Sequence, residues 1–284
     1  MKKLNIYNKK TPIDFFVDAV NRKRDPQFAR WLSRVQNSID NLFNDYHSKL
    51  LCDALEQLPS LSWLSNDEIN FKNLYSFKAI VFKELYIFLT TKSNNVVDNV
   101  CPYCFLEPSE SLDHYVPQTP FPHFSADPQN LIPCCSNCNS KKNDDWRTLQ
   151  GGKMVRLFLN AYIDDVMKLH FLDVKFHYVN DLIIPEFFIS QNQLPSRLFD
   201  IVKSHFEKLD LATRYRNSYY KVFVELGNSI KSHKNRGLSD ALIRTICLDT
   251  FVANENEFGL NHWETVLKKA CITDPVAYNY LITH

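Results

Sequence analysis

Two pairs of cysteines constrain the fold of this chain more than any other feature of its sequence. Each pair has CxxC spacing, and the four residues are Cys101, Cys104, Cys135 and Cys138. Four thiolates at two such spacings are the tetrahedral ligand set that zinc prefers in a closed structural site. Cys134 stands beside Cys135 as an alternative ligand, but only Cys135 has CxxC spacing to Cys138. We therefore predict that the two CxxC pairs bind one structural Zn²⁺ ion.

The composition fits a protein that folds in the cytoplasm. The chain has 284 residues, of which 45% are hydrophobic, so it can bury a sizeable core. Its longest apolar stretch, FKAIVFKELYIFLTT, is interrupted by charged residues, so we expect no membrane span and no membrane partner. The basic start MKKLNIYNKK is not followed by the apolar stretch of a signal peptide. Cytoplasmic cysteines stay reduced, which favours metal binding over disulfides.

Segments with helical periodicity flank the cysteine-rich middle. A long amphipathic helix is predicted over residues 25–58, because an Asp-Pro start suits an N-cap and first helical position. A second helix is predicted over 71–89. After the middle, the alternating stretch VKFHYVNDLIIPEFFI predicts a β-hairpin with Asp181 in its turn. Four further helices are expected, over 196–209, 212–232, 239–252 and 262–270.

The segment between the two cysteine pairs is too long and too rich in motifs for an ordinary zinc ribbon. It contains the stretches LDHYVP and NLIP, and the second pair is followed at once by NSKKN. The order CPYC, DHYVP and QNLIPCCSNCNSKK resembles the HNH endonuclease family, whose motif runs CxxC, DHxxP, NL and CxxCNxxK. The resemblance covers the stretch from Cys101 to Lys142. It implies a ββα-metal finger with Asp113 and His114 on the first strand.

The resemblance also places the remaining site residues. It implies that Asn130 precedes the second strand and that Asn139 lies on the helix. The expected fold is therefore α+β, with mainly helical flanks around a central ββα-metal finger and a β-hairpin after it. We expect three regions: a helical N-terminal region (1–99), the HNH nuclease finger (100–150), and a hairpin with a helical C-terminal region (151–284).

The chemistry of phosphodiester hydrolysis suits these residue types. His114 has a reference pKa near 6.5, so it can be neutral at cellular pH and accept a proton from water. Adjacent side chains on a strand point to opposite faces, so Asp113 is expected to bind an ion while His114 acts as base. Oxygen ligands from Asp113 and Asn139 favour Mg²⁺ or Mn²⁺. Asn130 is expected to fix the loop that aims His114.

Two helix residues complete the expected site. Lys142, at the NxxK position of the family motif, is a candidate for contacting a phosphate of the substrate. A solvated helix lysine is the other interpretation of that residue. Asn143 stands where the family commonly has a small residue, often glycine, and lies four residues after Asn139 on the same helical face, so it is a possible auxiliary ligand.

The predicted activity is divalent-metal-dependent hydrolysis of DNA by an HNH endonuclease, with RNA as an open alternative. A formal net charge of +1 leaves the substrate undecided. The competing interpretation is a non-catalytic zinc module that binds nucleic acid or a protein partner. The general plan also resembles effectors of bacterial anti-phage defence operons, some of which act beside an ATPase. A stand-alone restriction-type enzyme and a toxin-like nuclease are equally compatible. The sequence leaves the oligomeric state open.

Overall fold

The computed structural model describes residues 3–180 and 182–283, which form two compact units. We call residues 3–164 the N-terminal unit and residues 165–283 the C-terminal unit. The helices and strands of both units together give the α+β fold expected from the sequence. The division into three regions, which followed motifs instead of contacts, stays a prediction.

The N-terminal unit begins with four helices. They are α1 (Pro12–Asn21), α2 (Pro26–Leu51), α3 (Ser65–Leu74) and α4 (Ile80–Thr90). Helix α2 begins as predicted, because the Asp25 side chain accepts a hydrogen bond from the Gln27 amide and Pro26 occupies the first helical position. It ends before residue 58, since Asp53 takes a positive φ of 52° and the following chain forms a separate 3₁₀ turn, Leu55–Gln57.

The single helix predicted over 71–89 is wrong. The structure has two helices there, and the backbone is extended at Tyr75 and Ala79, which lie between them. A tertiary contact accounts for the break. The Tyr75 hydroxyl donates to the Leu112 carbonyl (2.9 Å) and accepts from the Leu112 amide (3.2 Å), so Tyr75 is held at a distant strand.

The middle of the chain folds as two short strands and a helix. The strands β1 (Ser111–His114) and β2 (Leu131–Cys134) pair antiparallel, with Asp113 opposite Ile132, and the helix is α5 (Ser136–Lys142). A second hairpin follows, made of β3 (Arg147–Gln150) and β4 (Lys153–Arg156). We did not predict it, although its turn carries two glycines with positive φ, a conformation that glycine adopts easily.

Aromatic side chains join the finger to the N-terminal helices within one core. Phe43 and Tyr46 of α2 contact Phe124, which lies between β1 and β2, with ring centroids 6.4 and 4.8 Å apart. Arg156 of β4 is buried and donates to both carboxylate oxygens of Asp164 (2.8 and 2.9 Å) and to Asp53 (2.5 Å). Helices α1, α3 and α4 also contact segments within residues 122–134, so all four helices are part of the structure that supports the finger.

The C-terminal unit consists of a hairpin and five helices. Strands β5 (Leu172–Val179) and β6 (Leu182–Ile189) pair antiparallel, as predicted, while Asp181 of the predicted turn lies outside the described residues. The helices are α6 (Ser196–Lys208), α7 (Leu211–Asn235), α8 (Asp240–Phe258), α9 (Trp263–Thr273) and α10 (Pro275–Thr283). We did not predict α10. Across residues 3–180 and 182–283, no helix is both long and apolar enough to span a membrane.

Candidate active site

The two CxxC pairs meet in a buried cluster. The sulfur atoms of Cys101, Cys104, Cys135 and Cys138 all lie within 4.8 Å of one another. The Sγ atoms of Cys104 and Cys135 are 3.8 Å apart, close to the distance of about 3.8 Å that a tetrahedral site with Zn–S bonds of about 2.3 Å requires. Contacts with neighbouring thiols, followed by burial, raise the pKa of Cys138, so ionisation of the whole set needs a cation. The donor set therefore fits a closed zinc site.

Backbone geometry around the cluster also suits a metal site. The Cys135 Sγ accepts from the Cys138 amide (3.4 Å) and thereby caps the first turn of α5, and the Cys104 Sγ accepts from the Leu106 amide (3.4 Å). Cys134, the alternative ligand, is buried nearby, but its Sγ contacts the Cys135 carbonyl (3.3 Å) and it does not belong to the group of four. The choice of Cys135 over Cys134 agrees with this clustering.

An open groove of about 670 Å³ runs beside β1 and α5. Asp113, His114, Asn139 and Asn143 line it together with Tyr75, which comes from the break between α3 and α4. The structure thus brings Asp113, His114 and Asn139 to one groove, on the elements expected for them, with the Asp113 side chain almost completely buried in its wall. Asn130 and Lys142 do not line the groove, because both side chains are buried behind it.

The imidazole of His114 is held in one defined protonation state. Its Nε2 lies 3.0 Å from the Ser125 carbonyl oxygen, which can only accept a hydrogen bond, so Nε2 carries a proton. Burial lowers the pKa of His114 to about 4, which keeps the ring neutral at cellular pH. The Tyr75 ring packs edge-on against the imidazole, with centroids 4.6 Å apart. His114 therefore presents an unprotonated nitrogen.

Asn130 organises the loop that contacts His114. Its side chain is fully buried, and its Oδ1 accepts from the Val116 amide (2.7 Å) and the Tyr46 hydroxyl (3.1 Å). Its Nδ2 donates to the carbonyls of Val116 (2.9 Å) and Phe124 (3.2 Å). Phe124 immediately precedes Ser125, whose carbonyl accepts from His114. These contacts agree with the position expected for a loop-fixing residue.

Asp113 already has two hydrogen-bonding partners behind the groove. The Tyr103 hydroxyl donates to Oδ2 (2.9 Å), and the Lys142 ammonium lies 3.3 Å from Oδ1 and 3.2 Å from Oδ2. Lys142 also donates to the His114 carbonyl (2.8 Å). A phosphate contact requires an exposed ammonium, whereas the Lys142 side chain is 0% exposed. In this structure Lys142 therefore contacts Asp113 and the backbone of His114. Its ammonium is not at the surface, where the predicted phosphate contact would require it.

The remaining helix residues lie at the groove as expected. Asn139 is half-buried on α5, and Asn143 is exposed at its C-terminal end. Asn143 has a φ of 46° with a ψ of −135°, a positive-φ conformation that glycine adopts far more easily than other residues. This backbone conformation explains why a small residue, often glycine, suits that position.

Sequence reasoning missed the tyrosines that support the site. Tyr46, Tyr75 and Tyr103 contact Asn130, Leu112 and Asp113, respectively. Tyr46 lies on α2 and Tyr75 follows α3, both outside the motif along the chain, so their aromatic character indicated only a core. No local signal distinguished them from other buried aromatics.

Comparison with protein-family models matches residues 101–145 to a family described as HNH endonuclease. Searches of curated proteins and of solved structures found no match. The matched residues contain the four clustered cysteines, both strands and α5. An HNH domain indicates nuclease-type activity. The resemblance noted in the sequence is thus confirmed, and residues 101–145 of this chain form an HNH endonuclease domain.

Proposed function

We propose that this protein is an endonuclease that hydrolyses phosphodiester bonds of DNA with the help of a divalent metal ion, and that His114 is the general base. The observation that carries the proposal is the state of the imidazole. Its Nε2 proton is committed to the Ser125 carbonyl, and its unprotonated Nδ1 belongs to a side chain that lines the groove. A nitrogen lone pair at a groove is what proton removal from an attacking water requires.

The low pKa of His114 limits its strength as a base in the absence of substrate. At cellular pH nearly every molecule has the neutral imidazole, but a base with a pKa of about 4 has a weak drive to accept a proton. A phosphodiester in the groove adds negative charge near the ring, and negative charge favours the imidazolium. Substrate binding is therefore expected to raise the pKa of His114 towards neutrality.

Asp113 and Asn139 are the residues that would hold the ion. Both line the groove and both supply oxygen, the donor that Mg²⁺ and Mn²⁺ prefer. When bound, such an ion stabilises negative charge that develops on the phosphate and on the leaving oxygen. The chain itself supplies the base, the backbone carbonyl that orients it, and a groove open enough for a nucleic-acid strand.

DNA is the proposed substrate, with RNA as the alternative that the same chemistry permits. The biological setting that we propose is a bacterial anti-phage defence or restriction-type effector in the cytoplasm, with a protein partner such as an ATPase of a defence operon. A non-catalytic zinc module that binds nucleic acid or a protein would need the cysteine cluster alone. It leaves an oriented, half-buried histidine at an open groove without a role.

Incubation of the purified, zinc-loaded protein with plasmid DNA and with RNA, each with and without Mg²⁺, tests the proposal. Loss of a general base lowers the rate by about 10² to 10⁴, so His114→Ala should lose cleavage to that extent. Zinc content and helical circular dichroism should stay unchanged, because His114 is outside the cysteine cluster.

His177, an exposed histidine of β5, provides the control His177→Ala, which should cleave as the wild type does. Cleavage by His114→Ala at the wild-type rate contradicts the assignment. Binding of nucleic acid without cleavage by any form favours the non-catalytic module.

A further inference from the structure

The ion pair between Lys142 and Asp113 is unusual for its depth. Lys142 belongs to a run of two lysines on α5, and its neighbour Lys141 is exposed. The Lys142 side chain is 0% exposed and that of Asp113 is 5% exposed. A buried lysine is costly unless it is paired, so the sequence position alone does not explain why this ammonium lies under the groove. The contacts of the ammonium with both oxygens of Asp113 explain how it can be buried.

These contacts use most of the hydrogen-bonding capacity of Asp113. An ionised carboxylate has about four lone-pair sites. The Lys142 ammonium contacts both oxygens, and the Tyr103 hydroxyl occupies a further site on Oδ2. Little accepting capacity remains for a ligand in the groove. In addition, Lys142 already neutralises the negative charge of Asp113, and it repels any second cation brought close to that carboxylate.

We propose that Lys142 is a positioning residue that makes ion binding at Asp113 depend on nucleic acid. It holds the carboxylate in place and weakens the affinity of the empty groove for a divalent cation. A phosphodiester in the groove then adds the negative charge that offsets the ammonium, so ion and nucleic acid bind cooperatively. The inference rests on the proposed role of Asp113 as an ion ligand. Its consequence is that the ion site is filled mainly in chains that have nucleic acid in the groove.

Binding of Mn²⁺, measured by the electron paramagnetic resonance signal of the free ion, tests the proposal on the full, zinc-loaded chain. All proteins carry His114→Ala so that an added DNA duplex stays intact. Couplings between binding sites are typically about 5- to 150-fold, so we expect the duplex to tighten Mn²⁺ binding to the otherwise wild-type chain by about tenfold or more. Lys142→Met should bind Mn²⁺ about tenfold more tightly without the duplex and should gain less from it. Lys141→Met is the matched control and should behave as the wild type does.

Tyr103→Phe provides a second variant in case Lys142→Met fails to fold. It keeps the aromatic ring and removes one donor to Asp113, so a smaller tightening of Mn²⁺ binding without the duplex is expected. Unchanged Mn²⁺ affinity in a folded Lys142→Met chain overturns the proposal. If that variant does not fold, unchanged affinity in Tyr103→Phe overturns it, as does a wild-type affinity that the duplex does not alter.

Asp113→Asn separates this inference from the proposed function. If Asp113→Asn binds Mn²⁺ as the wild type does, with and without the duplex, then the ion is not held by Asp113 and both proposals fail in that respect. If Asp113→Asn loses Mn²⁺ while Lys142→Met binds it unchanged, the ion assignment stands and the role of Lys142 is wrong.

Discussion

The two units of the chain bury polar groups to very different extents. Among the described residues, the buried polar or charged side chains number twelve in the N-terminal unit and three in the C-terminal unit. Burial of a polar group is unfavourable unless its hydrogen bonds are made, so such groups concentrate where the position of a side chain matters. The difference indicates that the N-terminal unit is built around a site, whereas apolar packing accounts for most of the C-terminal unit.

Asparagines in the two units illustrate the contrast. Asn130 of the N-terminal unit fixes the loop that carries the hydrogen-bond acceptor of His114. Asn261 of the C-terminal unit is also buried, and it accepts from the amides of Phe171 (2.8 Å) and Leu172 (3.0 Å). It therefore secures the start of the hairpin. The same residue type thus organises the candidate site in one unit and the hairpin in the other.

The largest effect is expected from loss of a zinc ligand. Structural zinc contributes about 10 to 16 kcal/mol of apparent binding free energy in small zinc domains, so Cys135→Ser should leave the finger unfolded and without zinc. Cys134→Ser should keep one zinc per chain, because Cys134 is outside the cluster. Zinc analysis and limited proteolysis measure both outcomes. The reverse ranking of the two variants would show that Cys134 is the ligand. The zinc site of the N-terminal unit would then differ from the one described here.

A smaller effect is expected from Asn130→Ala. The substitution removes the Asn130 side chain from the amide and the carbonyl of Val116, and each buried group left unpaired costs about 1 to 3 kcal/mol. The Phe124 carbonyl and the Tyr46 hydroxyl each lose one of two partners. Cleavage should fall as well, because the Ser125 carbonyl loses its support. Urea unfolding and cleavage assays measure the two losses. Asn137→Ala, at an exposed position of α5, is the control and should change neither by much. Wild-type cleavage by a folded Asn130→Ala chain would show that cleavage does not depend on the hydrogen bonds of the Asn130 side chain.

At cellular pH the smallest effect is expected from protonation of histidines, which lowers stability only as the solution becomes acidic. Burial lowers the pKa of His114 and of His123 to about 4, below the ordinary value of about 6.5 that an unfolded chain has. The neutral form is thus favoured by folding, and this contribution is fully present above pH 6.5. It is lost as pH falls from about 6.5 to about 4, by up to about 1.4 kcal/mol per pH unit for each histidine.

Urea unfolding at several pH values between 4 and 7 checks this slope. His123 accepts a hydrogen bond from the Trp63 indole (3.0 Å), so His123→Gln keeps an acceptor and removes the titration. That variant should have a shallower slope over the same range. An identical slope would show that His123 does not contribute to the acid sensitivity of the N-terminal unit.

Local sequence patterns predicted the parts of the site whose partners are close along the chain. The CxxC spacings, the Asp-His pair on β1 and the position of Asn139 on α5 all depend on contacts within the finger, which the motif itself encodes. Tyr46 joins α2 to Asn130, and Tyr75 joins the segment between α3 and α4 to Leu112 of β1. Both partners are far away in sequence, and apolar periodicity does not distinguish such contacts from ordinary core packing. For the same reason the break between α3 and α4 was missed. The burial of Lys142 was missed because its neighbour Lys141 has the same charge and only the fold separates them.

We expect the N-terminal unit to contain every side chain needed for hydrolysis, together with helices α1–α4, which support the site. The most direct test is Mg²⁺-dependent cleavage by a chain of residues 1–164, which retains Asp164 as the partner of Arg156. With saturating DNA at low salt, we predict a kcat close to that of the full chain and a higher KM, because any contacts from basic residues of the C-terminal unit would add only binding. The isolated segment 100–146 should cleave poorly, since it lacks Tyr46 and Tyr75. A folded, zinc-loaded 1–164 chain that does not cleave, beside a full chain that does, would contradict the claim.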